Sequence, residues 1–68
     1  MDNHVYKIIE ITGTSANSSD EAVSNAVSKA SATINNVKWF QVVETRGSIV
    51  DGKVERWQVT VKLGFTMN

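Results

Sequence analysis

With one histidine and no cysteine, this chain of 68 residues is short of the usual parts for acid, base or nucleophilic catalysis, and a Ser-His-carboxylate set would have to use His4. His4 stands close to the first residue, where termini are poorly held, and fits a surface or subunit-contact role better than that of a general base. Glu10, Glu44 and Glu55 could pair as the two carboxylates of sugar hydrolysis do. That chemistry needs a cleft, and the sequence around them has no long loops to enclose one, so ion pairing and solvation are their expected roles. A phosphate-cradling loop is missing as well: Gly13 is isolated, and Gly47 and Gly52 fall in a hairpin. Without cysteine, disulfides and thiolate metal sites are excluded. What remains is Trp39, a flat electron-rich surface, and Gln58, whose amide carries two donor hydrogens and an acceptor oxygen and so matches the amide-like edge of a heterocycle. Each has a plainer reading beside this one, Trp39 as the plug of a subunit interface and Gln58 as an ordinary exposed strand residue.

The elements that must position these two side chains follow from local pattern. Val5 to Thr12 is rich in β-branched and aromatic residues and predicts a first strand, which the polar run Gly13-Thr14-Ser15-Ala16-Asn17-Ser18 should end. Ser18 followed by Glu21 has the form of a capping box, in which the hydroxyl and the carboxylate each satisfy a backbone N–H at a helix start. Ala22, Val23, Ala26, Val27, Ala30 and Ile34 then recur at three- and four-residue spacing to give one apolar stripe, and Asn35-Asn36 tolerate the left-handed conformation that ends many helices. Val37 to Val50 and Lys53 to Met67 read as two long strands around Asp51-Gly52, the pair that a type I′ turn favours because both positions need positive φ. Continued without interruption from that turn, the register sets Phe40 against Leu63, Val42 against Val61, Glu44 against Val59 and Arg46 against Trp57 on a face that should meet the helix. Trp39 against Gly64, Val43 against Thr60 and Thr45 against Gln58 then share the other face. Gly64, lacking a side chain, should leave room for a flat partner on Trp39. Trp39 and Gln58 stand about 20 Å apart along such a hairpin, so one small ligand meets both only if they come from different subunits.

These elements predict an α+β fold: a β-α-β-β protomer of one domain, residues 1–68, with a three-stranded antiparallel sheet, the third strand in the middle, and one helix packed on one face. A core this small needs support, and with disulfides excluded, oligomerisation is the natural source. One helix covers one face, which leaves Trp39, Val43 and apolar residues of the first strand facing water in a lone protomer, the mark of an interface or ligand site. Seven lysines and arginines balance seven acidic residues, so no net field draws the chain to nucleic acid or an anionic membrane. No apolar run approaches the roughly 20 residues that span a bilayer, and the polar start Met1-Asp2-Asn3-His4 lacks the features of a signal peptide, so a cytoplasmic protein is expected.

From end to end the chain resembles the dodecin family. The likeness is carried by Val5-Tyr6-Lys7, Ile11-Thr12-Gly13-Thr14-Ser15, Trp39-Phe40, Glu44-Thr45-Arg46-Gly47, Gln58-Val59 and Gly64-Phe65, in that order and with helix and hairpin in their places. The resemblance implies a homododecameric hollow shell that stores or buffers flavin, FMN or riboflavin, without turning it over. In it paired flavins would stack between symmetry-related copies of Trp39, Gln58 would hydrogen-bond the isoalloxazine ring, and Arg46 would hold the subunit contact near the site, a role compatible with stacking on Trp57. Two rival readings stand beside it: a structural oligomerisation module that holds no ligand, and a small flavoenzyme. The chain departs from the pattern at Thr66, where related sequences carry an arginine able to meet the phosphate of FMN.

Overall fold

The structure, a computed structural model, describes residues 3–67; Met1 and Asp2, half of the polar start, lie outside the described residues. The order is β1 (Tyr6–Ser15), α1 (Ser19–Ser31), β2 (Val37–Val50) and β3 (Lys53–Thr66). The strands form one antiparallel sheet in the order β1-β3-β2, as the pattern predicts.

β1 runs three residues past the expected end at Thr12, through Gly13, Thr14 and Ser15. The reason is pairing: β3 offers Val59, Gln58 and Trp57 as partners for those residues, and the helix packs tightly over Gly13. A Cβ on Gly13 would lie 2.8 Å from the Ala26 side chain and would run into the Ala22 carbonyl. Gly13 is thus a close-approach residue inside a strand, which overrides its turn preference.

The helix starts where expected, but its cap is wired differently. Ser18 Oγ accepts the Glu21 backbone N–H at 3.0 Å, the first half of a capping box. The second half is replaced. The Ser18 N–H donates to Ser15 Oγ at 3.3 Å, and Ser15 Oγ in turn donates to Glu21 Oε1 at 2.5 Å, which also accepts from Asn17 Nδ2 at 2.9 Å. The carboxylate therefore reaches the cap through a serine at the end of β1, tying strand to helix. These two hydrogen bonds, from Ser15 first and Asn17 second, hold the Glu21 carboxyl below its ordinary pKa. The helix stops at Ser31, so Ile34 lies beyond it in the connecting turn, where it still packs on the core; Asn36 takes the left-handed conformation with φ 66°.

Ala22, Ala26 and Ala30 form the buried stripe of α1 and meet Val59, Val61 and Leu63 of β3. Burial of three such β3 side chains contributes about 1.5 to 3 kcal/mol each. The helix lies over β1 and β3 and hardly touches β2, so Phe40 and Val42, expected under it, are half exposed at 51% and 45%. Its short alanines account for this: they let the backbone approach the central strand but do not extend sideways to the edge.

Asp51 and Gly52 both adopt positive φ, 52° and 75°, and Val50 pairs with Lys53, as the turn residues require. The register departs from an uninterrupted hairpin at three places: extra residues at Lys38 and Val43 on β2 and at Glu55 on β3. Between the last two, every pair is shifted by one. Glu44 faces Thr60, Thr45 faces Val59 and Arg46 faces Gln58, so Glu44 and Arg46 leave the helix side for the open face and Thr45 moves the other way.

Candidate functional site

The open face of the sheet carries two separate constellations, one near the C-terminal end of β3 and one near its middle. At the first, register places Trp39 beside Gly64 and Ile8 on the far side of the same glycine. The indole lies down over the Gly64 backbone: a Cβ there would fall 2.6 Å from Trp39 Nε1 and nearer still to Cε2 and Cζ2. This corrects the sequence expectation. The space over Gly64 is filled by the tryptophan itself, so a partner can meet only the part of the ring that stays exposed. Tyr6 sets its ring edge-on to Trp39, with centroids 5.9 Å apart and an interplanar angle of 63°, and His4 tilts against Tyr6 at 6.3 Å. Backing on one side and an edge contact on another hold the indole, yet 36% of Trp39 stays exposed. A side chain clamped in place yet still partly exposed is pre-organised for stacking, since it has little rotamer freedom left to lose.

The second constellation lies at Gln58, six residues from Gly64 and so roughly 20 Å away along β3. Here the Val43 bulge matters most. An uninterrupted register sets Arg46 against Trp57 and Thr45 against Gln58; the structure sets Arg46 against Gln58 and Gly47 against Trp57. Stacking of Arg46 on Trp57 is therefore not what forms. Instead Arg46 Nε donates to Gln58 Oε1 at 2.9 Å, and Arg46 Nη1 donates to Glu44 Oε1 at 2.6 Å. Two residues expected on opposite faces, Arg46 and Gln58, are hydrogen-bonded on one face.

Sequence reasoning missed Glu44 and Tyr6 as members of these groups. The Glu-x-Arg spacing puts both side chains on the same side of a strand, a signal of pairing that the miscounted face obscured. Tyr6 could have been found from alternation in β1, which puts Tyr6 and Ile8 on one face once β3 is recognised as its neighbour. Between the two groups the open face is bridged by Thr12 and Thr60, whose hydroxyls meet at 2.8 Å.

With this geometry in place, comparison with known proteins is decisive on kinship, because the sequence profile of the Dodecin family matches residues 5–68. The chain belongs to the dodecin family. A dodecin of Thermus thermophilus is 36% identical over 63 residues, covering 93% of this chain and 91% of that protein. The solved structure of dodecin from Streptomyces coelicolor matches with a TM-score of 0.94 and 48% identity, covering 100% of this chain and 97% of that one. Dodecin from Streptomyces davaonensis superposes with a TM-score of 0.93 at 45% identity over 98% of both chains. The β-α-β-β order and three-stranded antiparallel sheet described above are those of the dodecin structures. Among the described residues no helix is long and apolar enough to cross a membrane.

Proposed function

We propose that this protein binds flavin, as FMN or riboflavin, between tryptophans of neighbouring subunits in a dodecamer, and that it stores the ligand in the cytoplasm rather than transforming it. The observation that carries this reading is the indole of Trp39, backed by Gly64, edged by Tyr6 and still 36% exposed. An isoalloxazine ring has the flat, extended π-surface that such a platform takes. At the other constellation, Gln58 Oε1 is engaged by Arg46, which leaves the Nε2 hydrogens for a polar ring edge. Because the two groups stand about 20 Å apart, both act on one ring only across a subunit contact.

The shape of the protomer supports assembly. Its radius of gyration is 14.0 Å, with extents of 54 × 20 × 15 Å. A self-standing compact chain of this length would have a radius near 11 Å. The excess comes from a long hairpin whose apolar residues, Phe40, Val42, Ile49 and Val54 among them, are about half exposed or more, and a second copy supplies the cover.

The test is a titration of riboflavin and of FMN with wild type and Trp39→Ala, read by flavin fluorescence, with mass determination of any ligand that copurifies. Contact with the indole opens fast electron transfer to the excited ring, so emission should collapse on binding to wild type. The variant should bind more weakly by at least the roughly 0.5 to 1.5 kcal/mol that aromatic contacts add beyond area burial. Bright bound flavin, equal affinity of the variant, or sustained consumption of a nicotinamide reductant would overturn the storage reading.

A further inference from the structure

The Arg46 contacts carry a consequence for which ligand atoms the site accepts. The Nε–H of a guanidinium can only donate, so the atom of Gln58 that meets it at 2.9 Å must be the oxygen. The opposite orientation would bring two donors together. Arg46 is itself held from the other side by Glu44 through the 2.6 Å contact to Nη1. Glu44 and Gln58 are separate acceptors for different nitrogens of one planar fork, so fixing the fork on Glu44 fixes the direction from which Nε reaches Gln58. Both partners of the Arg46–Glu44 ion pair are more than half exposed, at 55% and 54%, which makes it a small contributor to stability and frees it for an orienting role.

We propose that Glu44 is a positioning residue which, through Arg46, locks the Gln58 amide with its oxygen turned to the guanidinium and its Nε2 hydrogens presented outward, so that the site selects a ring edge offering a carbonyl acceptor at that point. Donation from a cation into the amide oxygen polarises the group and strengthens its N–H bonds as donors, while weakening the oxygen as an acceptor for anything further. The ligand contact is then Nε2–H to a ring carbonyl, not a ring N–H to Oε1. This inference deepens the flavin reading and rests on it for the identity of the ring, though the orientation of the amide stands on the protein contacts alone.

Gln58→Glu separates the two polarities, because a carboxylate keeps an oxygen for Arg46 and has no hydrogen to give. Riboflavin affinity should fall at least as far in Gln58→Glu as in Gln58→Ala, and the carbonyl stretch of the bound ring, read by difference infrared spectroscopy, should move towards its value in the free ligand. In Glu44→Ala, affinity should drop roughly two- to tenfold, the worth of one oriented hydrogen bond, with the same carbonyl shift in part. Quenching at saturation, which depends on Trp39, should not change. Independently of any ligand, the Arg46 Nε–H proton should give a slowly exchanging NMR signal in wild type that is lost in Glu44→Ala. Wild-type affinity in Gln58→Glu would show that the ring uses the amide oxygen and would overturn the proposal, as would a Glu44→Ala protein with unchanged affinity, carbonyl band and Nε–H exchange. A wild type that shows the protected Nε–H signal but binds no flavin would instead remove the flavin reading and leave the locked amide standing.

Discussion

Gly64→Ala is a one-methyl change that isolates the seat of the indole. The added Cβ would fall 2.6 Å from Trp39 Nε1 and closer to two ring carbons, far inside contact distance, and the backbone of the central strand cannot retreat because β1 and β2 hold it on both sides. The ring must swing off. If that uncovers on the order of 100 Å² of apolar surface, the cost is about 2.5 kcal/mol. Loss of the edge contact with Tyr6 adds about 0.5 to 1.5 kcal/mol, whereas alanine regains about 0.5 to 1 kcal/mol over glycine within a strand. The net expectation is about 2 to 3.5 kcal/mol of destabilisation, together with weaker flavin binding from a platform that has lost its backing. Denaturant unfolding at one fixed protein concentration measures the first, since assembly makes stability concentration-dependent. Emission of Trp39 in a Trp57→Phe background reports the displacement of the ring itself, as a red shift when the indole enters water, and a riboflavin titration measures the second. Equal unfolding midpoints within about 0.5 kcal/mol, the scatter of ordinary surface changes, with unshifted emission would refute the idea that Gly64 is kept bare for the ring.

Two further outcomes follow from the cap and from Thr66. The hydrogen bonds from Ser15 and Asn17 lower the Glu21 pKa beneath 4.5, so ionised Glu21 stabilises the fold above that value and the contribution is lost as pH falls through the lowered pKa. In thermal unfolding, the gap between wild type and Glu21→Gln should be open at neutral pH and close on acidification below about pH 4; a gap that widens in acid would contradict this. Thr66 is buried, and its N–H is committed to the Asn36 carbonyl at 3.2 Å, so this position supplies no cation for a phosphate. Riboflavin and FMN should accordingly bind within a fewfold of each other, with little salt dependence of the ratio; a marked preference for FMN that fades with salt would point to another basic residue at the phosphate.

The elements themselves were legible because each is marked by local chemistry: Ser18 at the cap, the alanine stripe of α1, Asp51-Gly52 at the turn. The pairing of Trp39 with Gly64 was legible too, since the extra residues at Val43 and Glu55 cancel before that point is reached from the turn. What lay between them was not. Nothing in Val42-Val43-Glu44 distinguishes a bulge from continued alternation, and a one-residue slip carries Glu44 and Arg46 to the opposite face. The use of Gly64 was also misjudged, because a glycine beside an aromatic reads equally as a vacancy or as a seat, and only the ring position tells which. The cap relay through Ser15 escaped because it joins two elements, whereas a capping box is a pattern within one.

The cancelling bulges make the hairpin behave like a message with a compensated frameshift. An insertion on one strand changes the frame, an insertion on the other restores it, and the text outside the interval, Trp39 to Val42 on one side and Ile49 to Val50 on the other, is read as though nothing had happened. Only residues 44–48 are reassigned. Moving either insertion along its strand would change which side chains reach the open face, while the turn and the tryptophan seat keep their places. Divergence among relatives with the same helix and the same turn would then appear as movements of two insertions, invisible to any comparison that scores identities alone.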